Sequence, residues 1–271
     1  MSGRDERADT LTPIVRRVRL DQLLVQRSLA PSRERAQALI LAGAVRVDGG
    51  RADRAAAPVP EDVELVVEAG PRYVSRGGDK LAGALDAFGL EVRGRVAIDI
   101  GSSTGGFTDV LLQRGAARVH AVDVGKGQLD WKLRNDPRVV VHESVNAREG
   151  IPVDERVDLI VADVSFISLR LVLPPGLARL RDGGDVVALV KPQFEVGREA
   201  VGKGGIVRDP LARAAAVVEV ARDLVGRGAP VVAIAPSPIA GREGNREIFV
   251  HARKGAHEMG GLDDAARESA R

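Results

Sequence analysis

The chain contains no cysteine, which excludes disulfides, thiol nucleophiles and cysteine-bound zinc together. Aromatic residues make up only 3% of it, against 44% for all hydrophobic types, so the core must be built from small and branched aliphatic side chains. No apolar run approaches the roughly 18 residues that a membrane-crossing helix requires. Residues 1–17 are charged throughout and lack the apolar centre of a signal peptide. The expectation is a cytoplasmic protein with no membrane partner. The net charge of +2 says little about other partners.

Lysine is the other scarcity. Of 40 basic side chains, only Lys80, Lys126, Lys132, Lys191, Lys203 and Lys254 are lysines. A composition biased toward Arg, Ala and Gly accounts for this without any function. Arginine holds its proton at any working pH, whereas lysine gives it up in suitable surroundings. Lysines kept against such a background are candidates for proton chemistry.

Residues 1–15 are polar and aperiodic and are expected to be disordered. Over 16–70 the pattern predicts a small α+β domain. Leu20, Leu23 and Leu24 share one helical face, and Ser32 is placed to cap a second helix carrying Ala36, Leu39 and Ile40. Gly43 ends that helix, a strand follows over 44–47, and Asp48-Gly49-Gly50 turns the chain toward another strand at 63–67. Nine arginines stand against four acids between Ile14 and Pro60. Arg16, Arg19, Arg27, Arg33 and Arg35 flank or lie in the two helices. They read as an RNA-binding surface, with a merely solvated helical face as the bland alternative. The order Arg19-Leu20-Asp21, Leu29-Ala30-x-Ser32-Arg33, Ala36, Leu39-Ile40, Gly43-x-Val45-x-Val47-x-Gly49 resembles the S4-type RNA-binding domain. That resemblance implies phosphate and shape contacts to structured RNA.

A linker at 71–76 leads into a domain expected over 77–253, with 254–271 as a mobile tail. After a helix at 79–88, strands are predicted near 96–99, 119–124, 139–142, 159–162, 186–190, 231–235 and 247–251. Helices are predicted near 106–114, 168–180 and 211–227. Alternation of this kind makes an α/β, mostly parallel, doubly wound sheet. Seven strands suit the Rossmann-like fold of S-adenosylmethionine-dependent methyltransferases.

Residues 99–109 read Asp-Ile-Gly-Ser-Ser-Thr-Gly-Gly-Phe-Thr-Asp and follow the apolar run Val96-Ala97-Ile98. A buried strand that breaks into a glycine turn before a helix opens a nucleotide-type ligand site. Gly101, Gly105 and Gly106 do not fit the dinucleotide pattern G-x-G-x-x-G. Asp99 at the strand end would repel a pyrophosphate and suits a cationic ligand, as S-adenosylmethionine is. Asp99, Gly101, Ser102, Ser103, Thr104, Gly105 and Gly106 are therefore assigned to that cofactor. Asp123 and Val124 end the second strand, where an acid can take ribose hydroxyls. Asn146 after the third strand is either an adenine contact or a turn residue. Asp163 and Lys191 end the fourth and fifth strands. They could be a plain ion pair. Glu247, in Gly244-Asn245-Arg246-Glu247, adds an acid on the same face, and Lys80 enters from the first helix. Two lysines and two acids around one pocket can handle the proton that a hydroxyl must lose to accept a methyl group. That role asks a lysine to give up its own proton first.

The motifs Ser75-Arg76-Gly77-Gly78-x-Lys80-Leu81, Ser103-Thr104-Gly105-Gly106-Phe107-Thr108-Asp109, Ala121-Val122-Asp123-Val124-Gly125, Asp163-Val164-Ser165-Phe166-Ile167-Ser168, Leu189-Val190-Lys191-Pro192-Gln193-Phe194-Glu195 and Gly244-Asn245-x-Glu247 resemble, in order, the TlyA family. This family comprises ribosomal RNA 2′-O-methyltransferases in which an S4-type domain precedes an FtsJ-like one. The resemblance implies a Lys-Asp-Lys-Glu catalytic tetrad at Lys80, Asp163, Lys191 and Glu247, with Asp163 also beside the cofactor. It implies cytidine ribose methylation in 16S and/or 23S ribosomal RNA, with ribosomal subunits as partners, Arg76 among the RNA contacts, and no metal. Lys126 departs from the aromatic or neutral residue expected there. The glycine-rich stretch 193–206 reads as a lid or RNA-contacting loop. Oligomeric state, monomer or weak dimer, is not legible. The competing readings are a membrane-lytic haemolysin, a label the family has carried, and an RNA-binding assembly factor without catalysis. The first lacks spanning helices, barrel strands and an amphipathic surface helix. An NAD-dependent oxidoreductase fails on the glycine pattern and on Asp99.

Overall fold

The computed structural model describes residues 16–68, 71–241 and 244–271, in two compact units that divide after Pro71. The disorder expected at 1–15 lies outside the described residues.

The first unit runs β1 (Arg17–Arg19), α1 (Leu20–Gln26), α2 (Arg33–Leu41), β2 (Val45–Val47), β3 (Gly50–Arg51), β4 (Pro58–Pro60) and β5 (Leu65–Val67). The Ser32 hydroxyl caps α2 by accepting the Arg35 N–H at 3.2 Å. β2 and β3 form a hairpin whose two turn residues, Asp48 and Gly49, both take positive φ, 48° and 76°, as a tight hairpin turn demands. Leu20, Leu23, Leu24, Ala36, Ile40 and Val45 make the core and are buried almost completely.

The second unit contains α3 (Arg76–Phe88), β6 (Val96–Ile100), α4 (Gly106–Gln113), β7 (Arg118–Val122), α5 (Trp131–Arg134), β8 (Val139–His142), β9 (Val157–Ala162), α6 (Leu169–Leu177), β10 (Leu180–Val190), α7 (Pro192–Glu195), α8 (Pro210–Gly226), β11 (Val231–Pro236), β12 (Ile248–Arg253) and α9 (Leu262–Ser269). The strands form the expected seven-stranded sheet, in the order β11-β12-β10-β9-β6-β7-β8. All pairs are parallel except those made by β12. Side chains alternate between two cores with the period of a strand. Val186, Ala188 and Val190 face one core, and Val187 and Leu189 face the other.

The chain leaves β6 toward β7 and β8, then returns to build β9 and β10 on the other side of β6. That reversal opens a crevice beyond the carboxyl ends of β6 and β9, where ligands bind in open α/β sheets. Among the described residues, no helix is long and apolar enough to cross a membrane.

Two expectations are corrected. Residues 254–271 are no mobile tail: they contain α9, which packs against α8 and β11 with Ala266 and Ala270 fully buried. The linker is shorter than 71–76. Tyr73 is 3% exposed in the core of the second unit, the Val74 N–H donates to Asp109 Oδ2 at 2.9 Å, and α3 already begins at Arg76. The periodicity that marks α3 starts only at Leu81, because Gly77 and Gly78 in its first turn carry no side chain to reveal it.

Candidate active site

A cavity of about 700 Å³ opens at the crevice. Its walls come from the turn after β6 (Gly101, Ser102, Ser103, Thr104, Gly106, Phe107), the start of α3 (Ser75, Arg76, Gly77, Lys80), the ends of β9 and β10 (Asp163, Ser165, Phe166, Lys191, Gln193, Phe194), the approach to β12 (Ala240, Asn245, Glu247), and Val201 and Gly205.

Lys80, Asp163, Lys191 and Glu247 all line this one space, as two ion pairs. Lys80 Nζ lies 2.5 Å from Glu247 Oε2, with the two side chains 12% and 3% exposed. Lys191 Nζ lies 2.6 Å from Asp163 Oδ1. That contact is ionic rather than an aligned hydrogen bond, which leaves this buried oxygen without a donor. The same ammonium donates to Ser165 Oγ at 2.9 Å. Ser165 was not among the residues singled out from sequence. Only its place two residues after Asp163 hints at it.

The glycine turn is shaped by its protein neighbours. A Cβ on Gly105, which has φ +96°, would come within 2.2 Å of Leu133 Cδ1. One on Gly106 would meet Ser75 Oγ at 2.2 Å and Gly78 N at 2.9 Å. One on Gly101, at φ +83°, would meet the Asp163 carbonyl at 2.7 Å. Gly105 accordingly faces leucines and does not line the cavity.

Several expected cofactor contacts also stand off the wall. Asp99 lies beneath it, fully buried, and accepts the Thr108 hydroxyl at 2.7 Å through Oδ2, while Oδ1 has no partner. Burial pushes its carboxyl up to about 7, opposed by the Thr108 bond and reinforced by the nearby charges of Asp163 and Asp123. Asp123 braces the turn. Its Oδ2 accepts the Ser103 N–H at 2.8 Å and its Oδ1 the Gly125 N–H at 2.7 Å. This carboxylate holds Ser103 at φ +47°. Val124 points outward at 74% exposure. Asn146 is a turn residue, accepting the Arg148 N–H at 3.2 Å and donating to Glu149 Oε1 at 2.7 Å.

Phe166 and Phe194 stand at the cavity mouth with ring centroids 5.1 Å apart. Phe166 is 90% exposed and takes φ +66°, a conformation costly for a bulky residue and characteristic of functional sites. Neither ring was identified from sequence. Their signal is an aromatic one residue after Ser165 and another three after Lys191 in a chain with few aromatics.

In the first unit the candidate RNA contacts divide. Asp21, fully buried, accepts Arg19 Nε at 3.0 Å and Nη2 at 2.8 Å, Arg33 Nε at 3.2 Å and Gln37 Nε2 at 2.9 Å. The Arg19 bonds hold this carboxyl well below the usual range, against the opposing pull of burial and with help from Gln37 and Arg33. Arg19 and Arg33 are thus presented in fixed positions. Arg16 and Arg35 are exposed. Arg27 is employed internally, donating to the carbonyls of Val63 at 2.6 Å and Glu61 at 2.5 Å.

Residues 73–254 match the family model described as FtsJ-like methyltransferase, and residues 18–65 match the S4 domain. The 16S/23S rRNA (cytidine-2′-O)-methyltransferase TlyA of Mycobacterium tuberculosis is 50% identical over 263 residues, covering 94% of this chain and 98% of its own. Hemolysin A of Brachyspira hyodysenteriae is 41% identical over 86% of this chain and 99% of its own. A solved structure described as a hemolysin from Streptococcus thermophilus is 43% identical, with a TM-score of 0.71, covering 94% of this chain and 95% of that one. The chain therefore belongs to the TlyA family and carries an FtsJ-like, S-adenosylmethionine-dependent methyltransferase domain behind an S4 domain.

Proposed function

We propose that this enzyme methylates the ribose 2′-hydroxyl of a cytidine in 16S and/or 23S ribosomal RNA, with Lys191 as general base. The observation that carries the reading is Lys191 Nζ, held 2.6 Å from Asp163 Oδ1 and 2.9 Å from Ser165 Oγ in the cavity that the glycine turn also lines.

S-adenosylmethionine supplies a methyl carbon made electrophilic by its sulfonium. A cationic donor fits this wall, which the Asp163 and Glu247 carboxylates line and where Asp163 Oδ1 accepts no hydrogen bond. Gly101, Ser102, Ser103, Thr104 and Gly106 would hold it, and Asp163 would face its charge. Lys191 first gives its own proton to solvent and then takes the 2′-hydroxyl proton as the oxygen bonds to carbon. Asp163 and Ser165 then hold the resulting ammonium. The Lys80–Glu247 pair orients the ribose. Arg76, the exposed Phe166 and the half-buried Phe194 hold the phosphate and base of the acceptor nucleotide at the mouth. Arg16, Arg19, Arg33 and Arg35 anchor the RNA through its backbone. The reading of cytidine and of both subunits draws on the Mycobacterium tuberculosis relative.

Purified enzyme, tritiated cofactor and isolated ribosomal subunits test it. A 2′-O-methyl group mapped to one cytidine in either RNA, and absent with Lys191→Ala, is the expected result. Methylation on a base, or undiminished in that variant, overturns it.

A further inference from the structure

Val207, 1% exposed, is held from both sides of its own residue. Its N–H donates to Asn245 Oδ1 at 3.2 Å, and its carbonyl accepts Arg213 Nη1 at 3.2 Å. It follows directly on a segment, residues 197–206, that gives Val201 and Gly205 to the cavity wall. The segment closes on itself through the Gly202–Ile206 bridge. Asn245 Nδ2 adds a bond to the Gly205 carbonyl at 3.0 Å. Asn245 lines the cavity and stands two residues before Glu247. The active-site end of the segment is thereby tied to the tetrad.

The other hold on Val207 leads away from the cavity. Arg213 lies on α8 and is 7% exposed. Its described hydrogen bonds go only to carbonyl oxygens: Val207 at 3.2 Å, Arg208 at 3.1 Å and Ala270 at 2.8 Å. Ala270, fully buried, follows the last residue of α9. A guanidinium is a rigid planar fork, so the bond to Ala270 fixes the direction in which the other nitrogens point. A buried cation without such acceptors is strongly disfavoured. Were the Ala270 carbonyl absent, the fork would turn toward solvent and release Val207.

We propose that the C-terminal helix α9 acts through Arg213 to hold residues 197–206 in place as a wall of the acceptor side of the cavity. Arg213 is a positioning residue, and Ala270 supplies the fixed point. The proposal rests on the methyltransferase reading, in which this wall confines the acceptor nucleotide near Lys191. The donor side is built separately, from the turn after β6 and its brace Asp123, just past β7, so it does not depend on the strut.

The test compares the full chain with a form ending at Gly261 and with Arg213→Lys, which keeps the charge but loses the fork. Hydrogen exchange is followed over residues 197–208, alongside kcat and KM for RNA and the Kd for S-adenosylhomocysteine. Exchange at Val207 and Gly205 is expected to rise about tenfold in the shortened chain, the equivalent of one lost hydrogen bond, and less in Arg213→Lys. The KM for RNA rises with it, while exchange in β6 and β7 and the Kd for S-adenosylhomocysteine stay as they were. If the shortened chain does not fold, Arg213→Lys decides on the same readouts. Unchanged exchange over 197–208 in the folded variants overturns the proposal. Absence of methyl transfer by the full chain would instead defeat the functional reading, and the exchange data would still decide the coupling.

Discussion

Glu195 Oε2 accepts the Ser168 hydroxyl at 2.5 Å, and Glu195 Oε1 accepts the Leu169 N–H at 2.8 Å. The last residue of α7 thus caps the first turn of α6 from another segment of chain, where a carboxylate is favoured by the helix dipole. The loop bearing Asp163, Ser165 and Phe166 is latched in this way to the one bearing Lys191, Gln193 and Phe194. Glu195→Ala leaves the buried Leu169 N–H without its acceptor and is expected to cost about 1–3 kcal/mol of stability and to lower kcat. Glu195→Gln, which can still accept from Leu169, should recover most of both. Thermal unfolding and single-turnover methylation at 25 °C check the pair. Equal damage from both variants would rule out the latch.

Lys191→Ala is expected to lower methyl transfer by about 10²–10⁴-fold, the range for loss of a general base, with cofactor binding intact. Lys191→Arg should be as inactive, since a guanidinium keeps its proton. Calorimetric titration with S-adenosylhomocysteine separates this from a binding defect. An active arginine variant would remove Lys191 from the role of base.

Lys80 and Glu247 are both largely buried. Removing one partner alone, by Lys80→Met or Glu247→Leu, leaves an unpaired charge in the cavity wall and is expected to destabilise by about 3–5 kcal/mol. The double variant should be less destabilised than the sum of the two. Chemical denaturation of all four proteins measures the coupling, and strict additivity would show that the pair is not an energetic unit.

Asp99 carries the pH dependence with the clearest sign. Its carboxyl in the folded chain titrates near 7, above the ordinary value. The folded state therefore binds the extra proton between those two values. The contribution is fully present below the ordinary carboxylate range and is lost as the pH rises through 7, at about 1.4 kcal/mol for each pH unit spanned. Asp99→Asn, which can still accept from Thr108, should gain stability relative to the parent from pH 5 to 8 and stay parallel to it above that. Melting curves across this range decide it, and a constant difference between the two proteins contradicts the assignment.

The arginines of the first unit should separate in RNA binding. Arg35→Ala should lower affinity and reduce the salt slope by about one phosphate contact. Arg27→Ala should leave the slope alone and lower the melting temperature, because its bonds go to Val63 and Glu61. Asp21→Asn should weaken binding by freeing Arg19 and Arg33. Affinity measured against salt concentration distinguishes the three, and a reduced slope for Arg27→Ala would return that residue to the RNA surface.

What the sequence made legible follows from the range of each interaction. Strands announce themselves as short apolar runs, so six of the seven strands of the large sheet were placed to within about two residues, while β10 begins at Leu180, ahead of its apolar run at 186–190, because Arg181-Asp182-Gly183-Gly184 carry no apolar side chain. β4 was invisible because Val59 stands between two prolines, which read as irregular chain and are tolerated only on an edge. α9 was missed because Ala266 and Ala270 are too small to mark a buried face. Within the proposed tetrad only Asp163 and Lys191 could be placed from strand ends, Lys80 coming from α3 and Glu247 from just ahead of β12. The division into two pairs was not legible, since Lys80 and Glu247 are 167 residues apart. The bonds from Arg27 to the carbonyls of Val63 and Glu61 were not legible, because a guanidinium bonded to carbonyls leaves no local sign in the chain. Asp99 was expected to touch the cofactor and lies beneath the cavity wall, because strand register decides which face a side chain takes.

The turn after β6 carries one further consequence. Its glycines are demanded by Leu133, Ser75 and the Asp163 carbonyl, so folding alone would preserve them in a descendant that had ceased to transfer methyl groups. Such a protein would keep the signature by which methyltransferases are recognised and still be inert. Lys80 and Lys191 are under no such obligation, since each ion pair they make could be exchanged whole for apolar side chains in an inactive chain at little cost. For telling a working enzyme from a scaffold of the same shape, Lys80 and Lys191 are the better witnesses.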